Sequence, residues 1–191
     1  MLYFVKLFFA FSVPFTIMMS TMHILGYGRS SSVIADIIIG GIYGLLMTLV
    51  LGGLHRLKVR SLSDKRSKHN LDVVQQGTLL LALPYERAWD LCVQALGTLP
   101  RSTIEDADRA AGKQVARIGM SWSSWGEQIT CDLKAVDAHT TQLTLVSRPT
   151  LKTTLLDYGK NLQNVEQIRT YLAPYRVNTF TFVDQTEAEA A

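Results

Sequence analysis

The stretch VIADIIIGGIYGLLMTLVLGGL, residues 33–54, decides how this chain is built. It is apolar apart from Asp36, Tyr43 and Thr48. Wound as an α-helix at 1.5 Å per residue, it extends about 33 Å, enough to cross the hydrocarbon of a bilayer. A comparable run precedes it. Leu2 to Leu25 is almost continuously apolar, broken by Lys6, His23 and a few hydroxyl residues. Pro14 near its middle removes one backbone bond and can kink the helix, which membrane helices tolerate when neighbours compensate. Only Gly26-Tyr27-Gly28-Arg29-Ser30-Ser31-Ser32 joins the two runs. A connection that short makes them antiparallel neighbours, a transmembrane hairpin over residues 1–54.

A secretory signal peptide also begins with an apolar run, but it fits less well here. The run is long, Lys6 alone supplies early charge, and Ser20-Thr21-Met22-His23 offers no small-x-small cleavage pattern. Direction follows from charge. Residues 55–72 form a basic juxtamembrane linker in which Arg56, Lys58, Arg60, Lys65, Arg66 and Lys68 face one acid before Leu71, Asp64, whereas the connecting loop holds Arg29 alone. The positive-inside rule puts the basic side in the cytoplasm, with both termini and everything after the hairpin. The expected location is therefore the inner (plasma) membrane. The six cations can also bind anionic headgroups, besides fixing topology.

Within the spans, Gly40 and Gly44 form GxxxG with Gly41 beside them, a small-residue face that lets another helix approach closely. The neighbour is either the first span or a partner subunit, and the second choice includes a homo-oligomer. Asp36 lies within about a turn of the outer end, where a carboxylate near the headgroups is the plainer reading than an ion or proton site. His23 reads as an interfacial histidine rather than a metal ligand.

The chain has 191 residues, 48% of them hydrophobic, and a mean hydropathy of +0.15. The apolar excess lies before Leu54, so a membrane part and a soluble part are being averaged. A formal charge of +3 is too small for a nucleic-acid binder. Cys92 and Cys131 have no CxxC or histidine spacing around them. They are a disulfide or two buried thiols, and a cytoplasmic domain favours the thiols.

After the linker the pattern is α+β. Gln76 to Leu83 reads as a strand, and Pro84 then opens a helix reaching about Leu99, with Tyr85, Trp89, Cys92, Val93, Leu96 and Leu99 on one face. Lys113 to Met120 reads as a second strand. Gln128 to Val136 alternates, with Ile129, Cys131, Leu133 and Ala135 on one side, and after a turn at residues 137–140 Thr141 to Ser147 returns with Leu143 and Leu145 inward. Arg148 and Pro149 are expected to interrupt the sheet. From about Tyr158 to Leu172, the residues Leu162, Val165, Ile168, Tyr171 and Leu172 mark a second amphipathic helix ending near Pro174.

The expected order over residues 73–174 is thus β-α-β-β-β-α with an antiparallel sheet. In that order the domain resembles the small helix-grip folds of lipid-transfer-type domains and of an outer-membrane assembly lipoprotein, in which a curved antiparallel sheet holds a long C-terminal helix. The resemblance covers about residues 73–173, rests on element order, and carries no functional residues across. Residues 175–191 hold a β-forming run, Val177 to Val183, expected as an edge strand in its own domain, and an acidic alanine-rich tail.

Catalytic patterns are missing. His23, His55, His69 and His139 fall in a span, the linker and a turn, none beside a nucleophile on a core element. There is no GxxxxGK[ST], no GxGxxG after a strand and no HExxH. Glu105, Asp106 and Asp108 read as solvated acids in a loop rather than a metal site. Trp122 and Trp125 bracket a tight connection and, where exposed, are candidates to bind a partner or the membrane interface. Arg148, Lys152 and Lys160 with Tyr158 read as a solvated basic surface.

The expectation is a non-enzymatic accessory or scaffold subunit of an inner-membrane complex, with no cofactor and no metal. It would contact membrane lipids and other integral membrane subunits, but no nucleic acid. The competing expectation is a membrane-tethered module for a lipid or another apolar ligand, which a cavity between Trp89, Leu133, Leu145 and Ile168 would favour and a filled core there would oppose.

Overall fold

The structure, a computed structural model, describes residues 2–27, 32–62, 71–121, 124–177 and 181–182. The chain divides into two compact units, Met1–Leu57 and Lys58–Ala191. The first is helical: α1 (Leu2–Ile24) runs on through Pro14, and α2 (Val33–Leu62) continues past the point where the apolar run ends. Both helices are long and apolar enough to cross a membrane. Many of their large side chains are turned outward; Phe9, Ile17, Ile38, Leu45 and Leu49 are all exposed, while Leu7 is buried. Because α2 extends to Leu62, the segment read as a linker begins as helix, and Arg56, Lys58 and Arg60 are helical residues. Straight-chain cations sustain a helix as well as most residues do, so nothing at Leu54 stops it.

The second unit is α+β. Its strands are β1 (Gln75–Leu81), β2 (Ser102–Asp108), β3 (Lys113–Ile118), β4 (Glu127–Ala135), β5 (Thr141–Pro149) and β6 (Thr181–Phe182). They form one sheet in the order β2-β3-β4-β5-β1-β6, and every neighbouring pair is antiparallel. Two helices, α3 (Tyr85–Gly97) and α4 (Lys160–Leu172), pack on one face. Leu79, Leu81, Ile129, Cys131, Leu143 and Leu145 from the sheet meet Trp89, Leu96, Val165 and Ile168 from the helices in one buried cluster. The other sheet face carries the alternate residues of each strand, as the period of two requires.

Three expectations are corrected. Ser102–Asp108 is a strand rather than a loop, so the order is β-α-β-β-β-β-α-β and Glu105, Asp106 and Asp108 sit on the sheet edge. This strand buries neither face, so it has no apolar alternation to betray it. Arg148 and Pro149 do not interrupt the sheet: they stand opposite Gln128 and Glu127 and complete β5. Pro149 ends the strand, where proline is tolerated. Helix α4 begins at Lys160 rather than Tyr158, because Tyr158 (φ 51) and Gly159 (φ 74) are left-handed. The turn before β3 also depends on a glycine: Gly112 has φ 73, and a Cβ there would meet the Leu133 carbonyl oxygen at 2.3 Å.

The run from Val177 to Val183 supplies β6, paired with Gly77 and Thr78 of its own sheet. Residues 178–180 and 183–191 lie outside the described residues.

Candidate functional site

The hairpin's interior is built from one stripe of α2. Asp36, Gly40, Gly44, Thr48 and Gly52 recur every four residues, so they share a face. All five are buried. A Cβ on Gly40 would stand 1.8 Å from Thr16 Oγ1, and one on Gly44 would stand 2.6 Å from Ser12 Cβ and 3.1 Å from the Phe8 carbonyl oxygen. Gly52 lies as closely against Phe4. These glycines set the approach of α2 to α1. Gly41 is one residue round the helix and has nothing within 4 Å of an added Cβ, as has Gly53.

At the loop end of this stripe Asp36 is 1% exposed. Its Oδ2 accepts a hydrogen bond from Ser20 Oγ at 3.1 Å and lies 2.9 Å from His23 Nδ1. The carboxylate read as a headgroup-level acid is thus buried between the helices, and His23 is its partner. The four-residue spacing from Asp36 to Gly40 was the signal in the sequence. At the opposite end His55, read as part of the linker, is buried on α2 with the Tyr3 ring 5.5 Å away. Arg56, Lys58 and Arg60 are exposed on the last turns of α2. Lys65, Arg66 and Lys68 lie outside the described residues, as does Trp122.

Trp125 is described, and it is 69% exposed. It lines an open cavity of about 540 Å³ together with Met120, Leu156, Tyr158, Ser124 and Asp157. Met120, also in the lining, is 64% exposed, and Leu151 and Leu155 of the loop after β5 are exposed as well. The loop is held beneath this surface by buried polar groups that the sequence did not announce. Asp157 accepts from the Gly159 and Asn161 backbone N–H groups at 3.0 and 2.9 Å and from Asn161 Nδ2 at 3.0 Å. Ser147 Oγ donates to Asn161 Oδ1 at 2.8 Å, linking α4 to β5. Glu127, 2% exposed, accepts from Ser124 Oγ. Burial raises its carboxyl pKa above the ordinary value, against the opposing pull of Ser124 and Lys160.

Nucleophiles are ill placed for chemistry. Cys92 and Cys131 are free and buried, and burial pushes the Cys92 thiol up to about 12 and the Cys131 thiol well above its usual range. A thiol so raised is not a thiolate at neutral pH. Among the described residues no three of His, Cys, Asp and Glu come together as a metal site. Of the acids on β2, Glu105 pairs with Arg117, and Asp108 Oδ1 accepts from the Ala110 and Ala111 N–H groups at 3.0 Å. Trp89, Leu133, Leu145 and Ile168 pack together in the one core, each at most 6% exposed.

No protein-family model matches the chain, and no curated protein matches it. Solved structures similar to it include a solution NMR structure from Thermobifida fusca, 9% identical at a TM-score of 0.36, covering 51% of this chain and 86% of that one. The Zhui aromatase/cyclase from Streptomyces sp. R1128 is 16% identical at 0.27, covering 53% and 84%. TTHA0849 from Thermus thermophilus is 10% identical at 0.28, covering 53% and 97%. At these scores the likenesses carry no argument about this chain.

Proposed function

We propose that the protein is a non-enzymatic accessory subunit of an inner-membrane assembly. Its hairpin sits among other spans, both termini lie in the cytoplasm, and the α+β domain docks a partner protein there. The observation that carries the reading is Trp125, whose large ring stands mostly in solvent at an open cavity that exposed Met120, with Pro149 and Leu156, also lines. A rigid aromatic beside an apolar recess is the usual composition of a binding hot spot. In the hairpin, Gly40 and Gly44 are occupied within the chain, which leaves the face bearing Gly41 for a neighbouring helix. A tethered apolar-ligand module draws no support from the packing of Trp89, Leu133, Leu145 and Ile168.

The test is native mass spectrometry of the complex extracted in mild detergent, from wild type and from Trp125→Ala. The variant is expected to keep its fold and lose a companion subunit, with affinity down about 30-fold, the equivalent of about 2 kcal/mol at a hot spot. A companion held equally well by Trp125→Ala moves the docking surface elsewhere. A monodisperse monomer without companions ends the subunit reading.

A further inference from the structure

The outer face of the sheet bears a second open cavity of about 540 Å³, and its chemistry is different. Its floor is a cross-strand row. Arg117 on β3 stands opposite Gln128 on β4, and Gln128 stands opposite Arg148 on β5. With adjacent strands about 4.8 Å apart, the two arginines are about 10 Å apart at the backbone and share one face. Lys152 adds a third cation from the loop after β5, while Thr150 and Thr154 add hydroxyls and Val73 and Val74 an apolar side.

No carboxylate among the described residues lines this cavity. Glu105 reaches one of the three cations, pairing with Arg117 Nε. Arg148 directs Nε and Nη2 to the same neutral acceptor, Gln128 Oε1, with Nε at 2.9 Å. That contact commits the amide oxygen and leaves the Gln128 nitrogen as a donor. Neither Arg148 nor Lys152 has an acidic partner among the described residues. Like charges held on one sheet face repel, and here the excess of positive charge is answered by no described acid beyond Glu105. Guanidinium forks, an ammonium and hydroxyls around one recess are the donor set that recognises phosphate.

We propose that the cavity floored by Arg117, Gln128 and Arg148 and rimmed by Lys152 binds a phosphate-bearing anion, the shared chemistry of an anionic lipid headgroup and a soluble phosphate. The site involves neither Trp125 nor the hairpin, so it stands whether or not the subunit reading does. Arg148 and Lys152 were grouped from the sequence with Lys160, which does not line the cavity; Arg117 was not, because it joins them only through the pairing of β3 with β4 and of β4 with β5.

The experiment uses the full chain in mild detergent, titrated separately with inorganic phosphate, with phosphatidylglycerol and with phosphatidylcholine. Bound ligand is followed by native mass spectrometry and the melting temperature is followed in parallel. Arg148→Gln and Lys152→Gln are compared singly and together with a control carrying Arg56→Gln, Lys58→Gln and Arg60→Gln. Wild type is expected to take up phosphatidylglycerol or phosphate in preference to phosphatidylcholine. Uptake should fall about fivefold for each cavity charge removed and persist in the control. Uptake of phosphatidylglycerol without a response to phosphate identifies the headgroup as the source, and a matching phosphate response identifies the soluble anion. Lys152→Gln keeps the test readable should Arg148→Gln melt early, since Lys152 makes no ion pair among the described residues. Absence of preferential uptake, uptake unchanged in both cavity variants, or loss confined to the control overturns the proposal.

Discussion

The two units of this chain bury different mixtures of residue. In the sheet domain the interior is leucine, isoleucine and valine beneath α3 and α4, and the charged residues stand mostly outside. In the hairpin the buried stripe of α2 is Asp36, Gly40, Gly44, Thr48, Gly52 and His55, with Leu7 of α1 buried as well, while Phe9, Ile17, Ile38, Leu45 and Leu49 point out. The sheet domain is ordered by withdrawing apolar area from water. That force cannot hold two helices together in hydrocarbon, where close backbone approach and inward hydrogen bonds take its place. Both α1 and α2 are long and apolar enough to cross a membrane, and a stripe of small residues between them is the packing that such helices use.

The contrast is most exposed to test where each interior is densest. Leu145, fully buried in the sheet domain, should lose about 2–5 kcal/mol of stability on replacement by alanine, through lost transfer energy and the cavity left behind. Denaturant unfolding of the full chain in detergent, followed by tryptophan fluorescence, reads this directly because Trp89 is in the same cluster. A loss below about 0.5 kcal/mol would mean that the domain is not held by its apolar layer.

The hairpin should show the opposite sensitivity, failing when something is added. Gly44→Val places methyl groups into Ser12 and the Phe8 backbone and should cost about 1–3 kcal/mol by overpacking. Gly41→Val, with open space around it, should stay within about 0.5 kcal/mol. The midpoint of thermal aggregation in detergent compares them. Equal effects at Gly41 and Gly44 would erase the distinction between an occupied and a free helix face.

Legibility followed the same divide. The apolar runs, the antiparallel meander and both amphipathic helices were readable because each is marked by a long apolar stretch or by one apolar face that stamps a period on the sequence. Strand β2 was missed because it is exposed on both sides and so has no period. Arg148 and Pro149 looked like an interruption because charge and proline are local signals, whereas membership of β5 is decided by pairing with β4. The glycine face and Trp125 could be named from sequence. The joining of Ser20, His23 and Asp36 could not, since hydrogen bonds across the hairpin depend on the register of two helices. Ser147, Asn161 and Asp157 met for the same reason, as three polar residues brought together by packing α4 on β5.

Both interiors also admit buried carboxylates, and Asp36 and Glu127 differ in what receives them. Asp36 is met by Ser20 and His23. Glu127 is met by Ser124, and burial dominates its electrostatics, with Asp157 adding a smaller push in the same direction and Ser124, Lys160 and Arg101 opposing. Its folded pKa is therefore raised above the ordinary 4.5, and the folded chain holds this proton more firmly than the unfolded chain does. The resulting contribution to stability is fully present below the ordinary value and is lost as pH rises through the folded one. Glu127→Gln imitates the protonated form and keeps an oxygen for Ser124. It should match wild type in acid and be the more stable protein at neutral pH, with the wild type's decline between those limits flattened. Denaturation curves collected from below pH 4.5 up to neutrality measure this. A variant less stable than wild type at neutral pH would mean that Glu127 is held as an anion by its partners, and burial would then not dominate its electrostatics.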